Sequence, residues 1–132
     1  ILCGDYSQIE RFADDNTFVY FDPPYRPLSA TSSFTSYSKE SFNDAEQIRL
    51  AQFFARLTRL GCRMMLSNSD CCSHNPSDTF FEELYGNYII ERVYASRSVN
   101  ANASKRGKLT EILVRNYESA GIQPADEFQF AI

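Results

Sequence analysis

Phe18-Val19-Tyr20-Phe21 runs straight into Asp22-Pro23-Pro24, and this junction constrains the chain more than any other feature. A short apolar run without alternation reads as a buried parallel strand. Two prolines can neither continue a central strand nor open a regular helix without strain, so the strand must stop in a stiff, extended corner. Two other runs read the same way: Ile1-Leu2-Cys3-Gly4, ending in Asp5-Tyr6, and Met64-Met65-Leu66, ending in Ser67-Asn68-Ser69-Asp70. In an open parallel sheet such strand ends line one crevice, the usual ligand site of doubly wound folds.

Between the second and third runs, Ile48, Leu50, Ala51, Phe54, Leu57 and Leu60 recur largely at spacings of three and four. The pattern predicts a helix over 44–60, opened by Asn43-x-x-Glu46 as a capping box and closed by Gly61. A shorter helix is predicted from Asp78 to Tyr85, with Phe80, Phe81 and Leu84 as its stripe and Gly86-Asn87 as its stop. Tyr88–Tyr94 and Leu109–Tyr117 are rich in Ile, Val, Leu and Tyr and flank a polar stretch, so they read as an antiparallel pair at the end of the sheet. Ser29 to Ser41 reads as a long loop, and the tail 118–132 has no strong period.

At 132 residues and 43% hydrophobic composition the chain supports one core. No apolar run is long enough for a membrane span and no basic-then-apolar leader is present, so a cytoplasmic protein without a membrane partner is expected. Ile1 stands where a start methionine would, which implies a piece of something longer. Cys71, Cys72 and His74 cluster, but a fourth ligand at suitable spacing is missing, so they read as a polar loop with free thiols and no metal is expected. The net charge of −4 is unevenly spread: between Arg92 and Arg115 six cations face the single acid Glu111, a local +5 that leaves −9 on the rest. A basic patch on an acidic body points to an anionic partner at one place only.

A rigid acidic corner suits alkylation of an exocyclic amine. The N6 nitrogen of adenine is a poor nucleophile because its lone pair is delocalised into the ring. Two acceptors aimed at its N–H bonds pull it toward tetrahedral geometry and direct the lone pair at an activated methyl group. The Asp22 carboxylate and the Pro23 carbonyl are candidates for these acceptors in a preorganised site. Tyr25 offers a face for a base turned out of the duplex. Taken alone, Asp-Pro-Pro-Tyr is also an ordinary turn followed by a packed ring.

Phe18-Val-Tyr-Phe-Asp-Pro-Pro-Tyr25, then Pro27-Leu28-Ser29-x-Thr31-x-x-Phe34-Thr35-x-Tyr37, Ser41-Phe42, Leu66-Ser67-Asn68, Arg97-Ser98, Lys105-Arg106-x-Lys108 and Glu111-Ile-Leu together resemble the Dam-like (D12 class) DNA adenine-N6 methyltransferases. The match runs from about Phe18 to Tyr117 and looks like the C-terminal part of the catalytic domain. The resemblance implies an α/β fold: the C-terminal half of a Rossmann-like, S-adenosylmethionine-dependent methyltransferase sheet, with parallel strands ending in an antiparallel pair. It implies methyl transfer from S-adenosylmethionine to N6 of adenine in double-stranded DNA. Asp22, Pro23, Pro24 and Tyr25 match the catalytic motif. Asp5 and Tyr6 resemble the family's cofactor-adenine pair; on residues alone Asp5 is equally a strand-end cap. The resemblance places Phe34, Tyr37, Ser67 and Asn68 around the extruded base, and Arg97, Asn100, Asn102, Lys105 and Arg106 on DNA; a solvated hairpin tip is the other reading of that last set.

The family's Gly-rich cofactor loop and target-recognition region have no counterpart among Gly4, Gly61, Gly86, Gly107 and Gly121. Residues 1–117 are therefore expected to form a partial methyltransferase catalytic domain, and 118–132 a C-terminal tail. By itself the piece should bind cofactor weakly, be inactive, and expose a surface open to homodimerisation. The alternatives are a DNA-binding or regulatory module that has lost catalysis, and an amino-methyltransferase acting on RNA or on protein glutamine.

Overall fold

A computed structural model describes residues 1–29, 42–95 and 109–118. A 3-10 helix, Tyr6–Phe12, precedes strand β1, Phe18–Phe21. Helix α1, Asp44–Arg59, leads into β2, Arg63–Ser69. Two short helices follow, α2 at Cys71–His74 and α3 at Phe80–Tyr85, and then the strands β3, Ile89–Tyr94, and β4, Thr110–Arg115.

The four strands form one mixed sheet in the order β1-β2-β4-β3. β1 and β2 are parallel, with Phe21 opposite Leu66, while β4 runs antiparallel to both β2 and β3. The expected antiparallel pair is therefore present, and its second strand lies beside β2 while its first forms the sheet edge.

Helix α1 starts where the capping pattern placed it: the Asn43 side chain accepts from the Glu46 N–H at 3.1 Å. The reciprocal half of the box is not made, because the Glu46 carboxylate instead takes Arg49 Nη1 at 3.0 Å. At the other end Gly61 adopts φ +86°, a left-handed value that favours glycine, and the chain turns back into β2. Leu50, Ala51, Phe53, Phe54 and Leu57 of α1 are buried against Phe21, Met64, Leu66, Ile112 and Val114, which point from the sheet toward the helix. Phe54 is the centre of an aromatic cluster, edge-on to Tyr85 at 5.5 Å and to Tyr88 at 4.9 Å.

Four readings need correction. Ile1-Leu2-Cys3 is not a buried strand: all three residues are exposed, and among the described residues no strand lies on the outer side of β1 to pair with them. β1 is buried on one face only, since Val19 and Phe21 face α1 while Phe18 and Tyr20 remain more than half exposed on the far side. Ile48 and Leu60 lie off the buried stripe of α1 and are exposed; Phe53 and the polar Gln47 are buried instead. Cys71–His74 is a helical turn capped by Asp70 rather than a loop, and Cys71 is buried. No described helix is long and apolar enough to cross a membrane.

Candidate active site

The corner after β1 lies beside the end of β2 because the parallel register brings Phe21 against Leu66, so the next residues of each strand emerge together. Asp22 is exposed. Its Oδ1 accepts from the Ser67 hydroxyl at 3.2 Å, and the Ser67 oxygen lies 2.9 Å from the Tyr20 hydroxyl. With the Ser67 proton directed at the carboxylate, Tyr20 is the donor to Ser67, giving a chain Tyr20 to Ser67 to Asp22. Among the described residues Asp22 Oδ2 and the Pro23 carbonyl carry no hydrogen bond. The Pro24 carbonyl, by contrast, is taken by Gln47 Nε2 at 3.0 Å.

Tyr25 is half-buried, and its hydroxyl donates to Glu111 Oε2 on β4 at 3.2 Å. Burial pushes the Tyr25 phenol upward; a hydrogen bond with Ser67 pulls the other way, and the Glu111 charge adds to the rise. The ring therefore stays neutral through the physiological range. Arg26 follows immediately. Its Nε and Nη2 form a fork on Asp44 at 2.8 and 3.1 Å, Nη1 reaches Asp78 at 2.7 Å, and the guanidinium lies 4.3 Å from the centre of the Phe80 ring. These acids, Asp44 first, push the Arg26 pKa further up.

Of the residues predicted to surround the target base, Ser67 is beside Asp22, whereas Asn68 is fully buried behind the corner. Phe34 and Tyr37 lie outside the described residues, as do Arg97, Asn100, Asn102, Lys105 and Arg106. Two cations at the ends of the basic stretch are ion-paired. Arg92 binds Asp70 at 3.1 Å and Glu82 at 2.6 Å, and Arg115 binds Glu91 at 2.9 Å. Burial raises the Asp70 carboxyl, but Ser73, Thr110 and the Arg92 charge outweigh it and hold the group below its usual range.

Asp5 caps the 3-10 helix, accepting from the Ser7 N–H at 3.0 Å and from its hydroxyl, and it binds Arg49 Nη2 at 2.7 Å. Arg49 and Ser7 together hold the carboxyl down at about 2. All three donors meet Oδ1; Oδ2 has no hydrogen bond among the described residues. The Arg49 guanidinium lies 4.7 Å from the centre of the Tyr6 ring, and Phe53 packs against that ring at 5.3 Å. A cavity of about 430 Å³ opens here, lined by Tyr6, Ser7, Arg49, Gln52, Phe53 and Arg56 among others. Sequence reasoning missed Gln47, Arg26, Arg49 and Tyr20. The available signal was Gln47, a polar residue at i−3 and i−4 from Leu50 and Ala51 on the apolar stripe.

Fold and corner together define a mixed α/β domain that gathers its polar groups at the C-terminal ends of two parallel strands. The family model for the D12 class N6 adenine-specific DNA methyltransferases matches residues 1–99, and the chain belongs to that family. It is 48% identical over 118 residues to the type II methyltransferase M.MjaIII of Methanocaldococcus jannaschii, covering 89% of this chain and 39% of that protein. It is 46% identical over 117 residues to the type II methyltransferase M1.LlaDCHI of Lactococcus lactis, with 89% and 39% covered. Against the DNA adenine methylase of Escherichia coli K12 the identity is 33% over 123 residues, 93% of this chain and 41% of the relative. The chain thus spans about two fifths of the length of these curated relatives.

Proposed function

We propose that this chain supplies the catalytic corner of an enzyme that transfers a methyl group from S-adenosylmethionine to N6 of adenine in duplex DNA. The observation that carries the reading is the pair of open acceptors at the corner. Asp22 is held through one oxygen by Ser67 and presents the other, and among the described residues the adjacent Pro23 carbonyl is uncommitted while that of Pro24 is not. An amine carrying two N–H bonds matches two acceptors on one rigid bend. Asp22 takes one N–H, Pro23 the other, and the face of Tyr25 stacks the extruded base. The methylated amine is strongly acidic and loses its surplus proton to Asp22 or solvent, so no strong base is required.

The groups near the 3-10 helix fit the nucleoside end of the cofactor: an Asp5 oxygen that is open among the described residues and can accept from an exocyclic amine, and the aromatic Tyr6 beside it. When bound, S-adenosylmethionine supplies an electrophilic methyl on a sulfonium. Asp5 is a helix cap as well as a candidate ligand, so the two readings of its sequence coexist in one side chain. A sheet of parallel strands ending in an antiparallel pair supports the C-terminal half of a Rossmann-like methyltransferase sheet, with 1–117 as the partial catalytic domain and 118–132 as its tail. Arg97, Asn100, Asn102, Lys105 and Arg106 belong to the same proposal as DNA contacts, and the exposed Phe18 and Tyr20 as part of a face open to self-association.

Asp22→Ala in the intact protein tests the reading. Incorporation of labelled methyl into duplex DNA should vanish while duplex affinity stays unchanged, and RNA and protein-glutamine substrates assayed alongside should not be labelled by the wild type. Undiminished methylation by Asp22→Ala rejects the proposal.

A further inference from the structure

The Pro24 carbonyl and the Arg26 N–H belong to the two peptide units on either side of Tyr25. Each is held by a buried side-chain amide. Gln47 Nε2 donates to the Pro24 carbonyl at 3.0 Å, and Asn68 Oδ1 accepts from the Arg26 N–H at 2.9 Å. The two amides are themselves joined, Asn68 Nδ2 donating to Gln47 Oε1 at 3.1 Å. Asn68 Oδ1 also accepts from the Ser69 N–H at 2.9 Å, so two N–H donors fix which end of that amide is oxygen.

Gln47 and Asn68 are 1% and 0% exposed, among apolar residues of α1 and the sheet. Burying two amides is costly unless every strong bond is made, and an apolar pair would fill this space more cheaply. A connected pair that ends on both peptides flanking one residue has a geometric consequence: with both planes held, the backbone torsions of Tyr25 are set, and with them the direction of its ring.

We infer that Gln47 and Asn68 are positioning residues that aim the Tyr25 ring at the target base, acting from behind the corner rather than touching the base. Arg26 anchors the far side of the same segment through Asp44, Asp78 and Phe80. The inference rests on the proposed function for the identity of what Tyr25 meets.

The test is made in the intact protein on a duplex with 2-aminopurine at the target adenine, whose emission rises on leaving the stack and is quenched against a tyrosine ring. Gln47→Met keeps the volume and removes the hydrogen bonds; Asn68→Asp keeps the acceptor for Arg26 and removes the donor to Gln47, giving a second route should the first variant fold poorly. Each is expected to lower kcat by roughly 10- to 100-fold at unchanged duplex affinity, the scale of a slight misplacement. Each should also brighten the bound 2-aminopurine, and neither effect should persist in a Tyr25→Leu background, because coupled residues are not additive. Leu57→Ala, in the core and away from the corner, should lower stability without changing the emission. Wild-type emission from both variants, or rate losses that simply add to that of Tyr25→Leu, overturns the positioning role. If Asp22→Ala abolishes methylation while both variants behave as wild type, this inference alone falls; if Asp22→Ala methylates normally, the proposed function falls and takes this inference with it.

Discussion

The Ser67 hydroxyl points at Asp22 Oδ1 across 3.2 Å, tying the corner after β1 to β2. It restrains a carboxylate that is otherwise exposed, and Tyr20 restrains it in turn at 2.9 Å. Removing a hydrogen bond to a charged group costs about 1.5–3 kcal/mol where the partner is buried and less where solvent can substitute. Ser67→Ala should therefore lower kcat about tenfold, the kinetic equivalent of about 1.4 kcal/mol. Tyr20→Phe, one bond further away, should have a smaller effect. Single-turnover methylation rates check both, and a Tyr20→Phe loss exceeding that of Ser67→Ala contradicts the order of the chain.

The strand endings, the 44–59 helix with its Asn43 cap and the antiparallel pair were legible because each has a local cause: periodicity, a capping side chain, a proline pair. Ile1-Leu2-Cys3 looked equally like a strand, but a strand also needs a neighbour, and pairing is not a property of three residues. Gln47 shows the opposite failure. Its position on the buried stripe was visible, yet its meaning depends on Asn68, 21 residues away, and on a carbonyl in another segment. Arg26 gave no sequence signal at all, since Asp44 and Asp78 converge on it only in three dimensions.

Arg26 binds two acids and a ring with its own side chain only 20% exposed, a better-shielded arrangement than a surface pair. Arg26→Met keeps the stem over Phe80 and loses the charged bonds. We expect a loss of about 2 kcal/mol in urea unfolding, most of it from Asp78, because Asp44 is over half exposed and regains water readily. Asp44→Asn should accordingly cost less than Asp78→Asn; the reverse order in midpoint shifts contradicts this division.

Asp5 links the 3-10 helix to α1 through Arg49, and its folded pKa of about 2 lies below the ordinary aspartate value of 3.8. A depressed carboxylate contributes stability that is present above its unfolded pKa and lost as pH falls through the folded one. The contribution should therefore be intact above about pH 4 and disappear toward about pH 2. Asp5→Asn removes it at every pH. Difference unfolding curves of wild type and Asp5→Asn should converge across that acid window, and a constant gap down to the lowest pH contradicts the assignment.

Phe54 is wholly buried between Phe21, Tyr85 and Tyr88, so truncating it removes its ring contacts and leaves a cavity in the core. Phe54→Ala should cost about 3–5 kcal/mol, and Ile48→Ala, on the exposed side of the same helix, within about 0.5 kcal/mol of nothing. Urea midpoints of the pair measure the contrast. Equal losses would mean the helix is packed on the wrong face.

Tyr25 combines a ring and a hydroxyl with separable duties. The hydroxyl donates to Glu111 on β4 at 3.2 Å, a partly buried bond that ties the corner to a third strand. The ring is the part proposed to carry the base, and stacking a base on an aromatic face is worth about 1–3 kcal/mol. Tyr25→Phe keeps the face and loses the hydroxyl with the bonds it makes, so methylation should fall less than about tenfold, on the scale of the 0.5–1.5 kcal/mol net worth of a hydrogen bond. Tyr25→Ala removes the face as well and should lose about 10- to 100-fold more, following that stacking range. Because Glu111 is the acceptor of that bond, Glu111→Ala, which leaves no acceptor, should cost no more than Tyr25→Phe and add nothing to it. Measured kcat values for the three variants decide the matter: if Tyr25→Phe is as damaged as Tyr25→Ala, the phenol and not the ring face is the working part, and stacking is the wrong account of this residue.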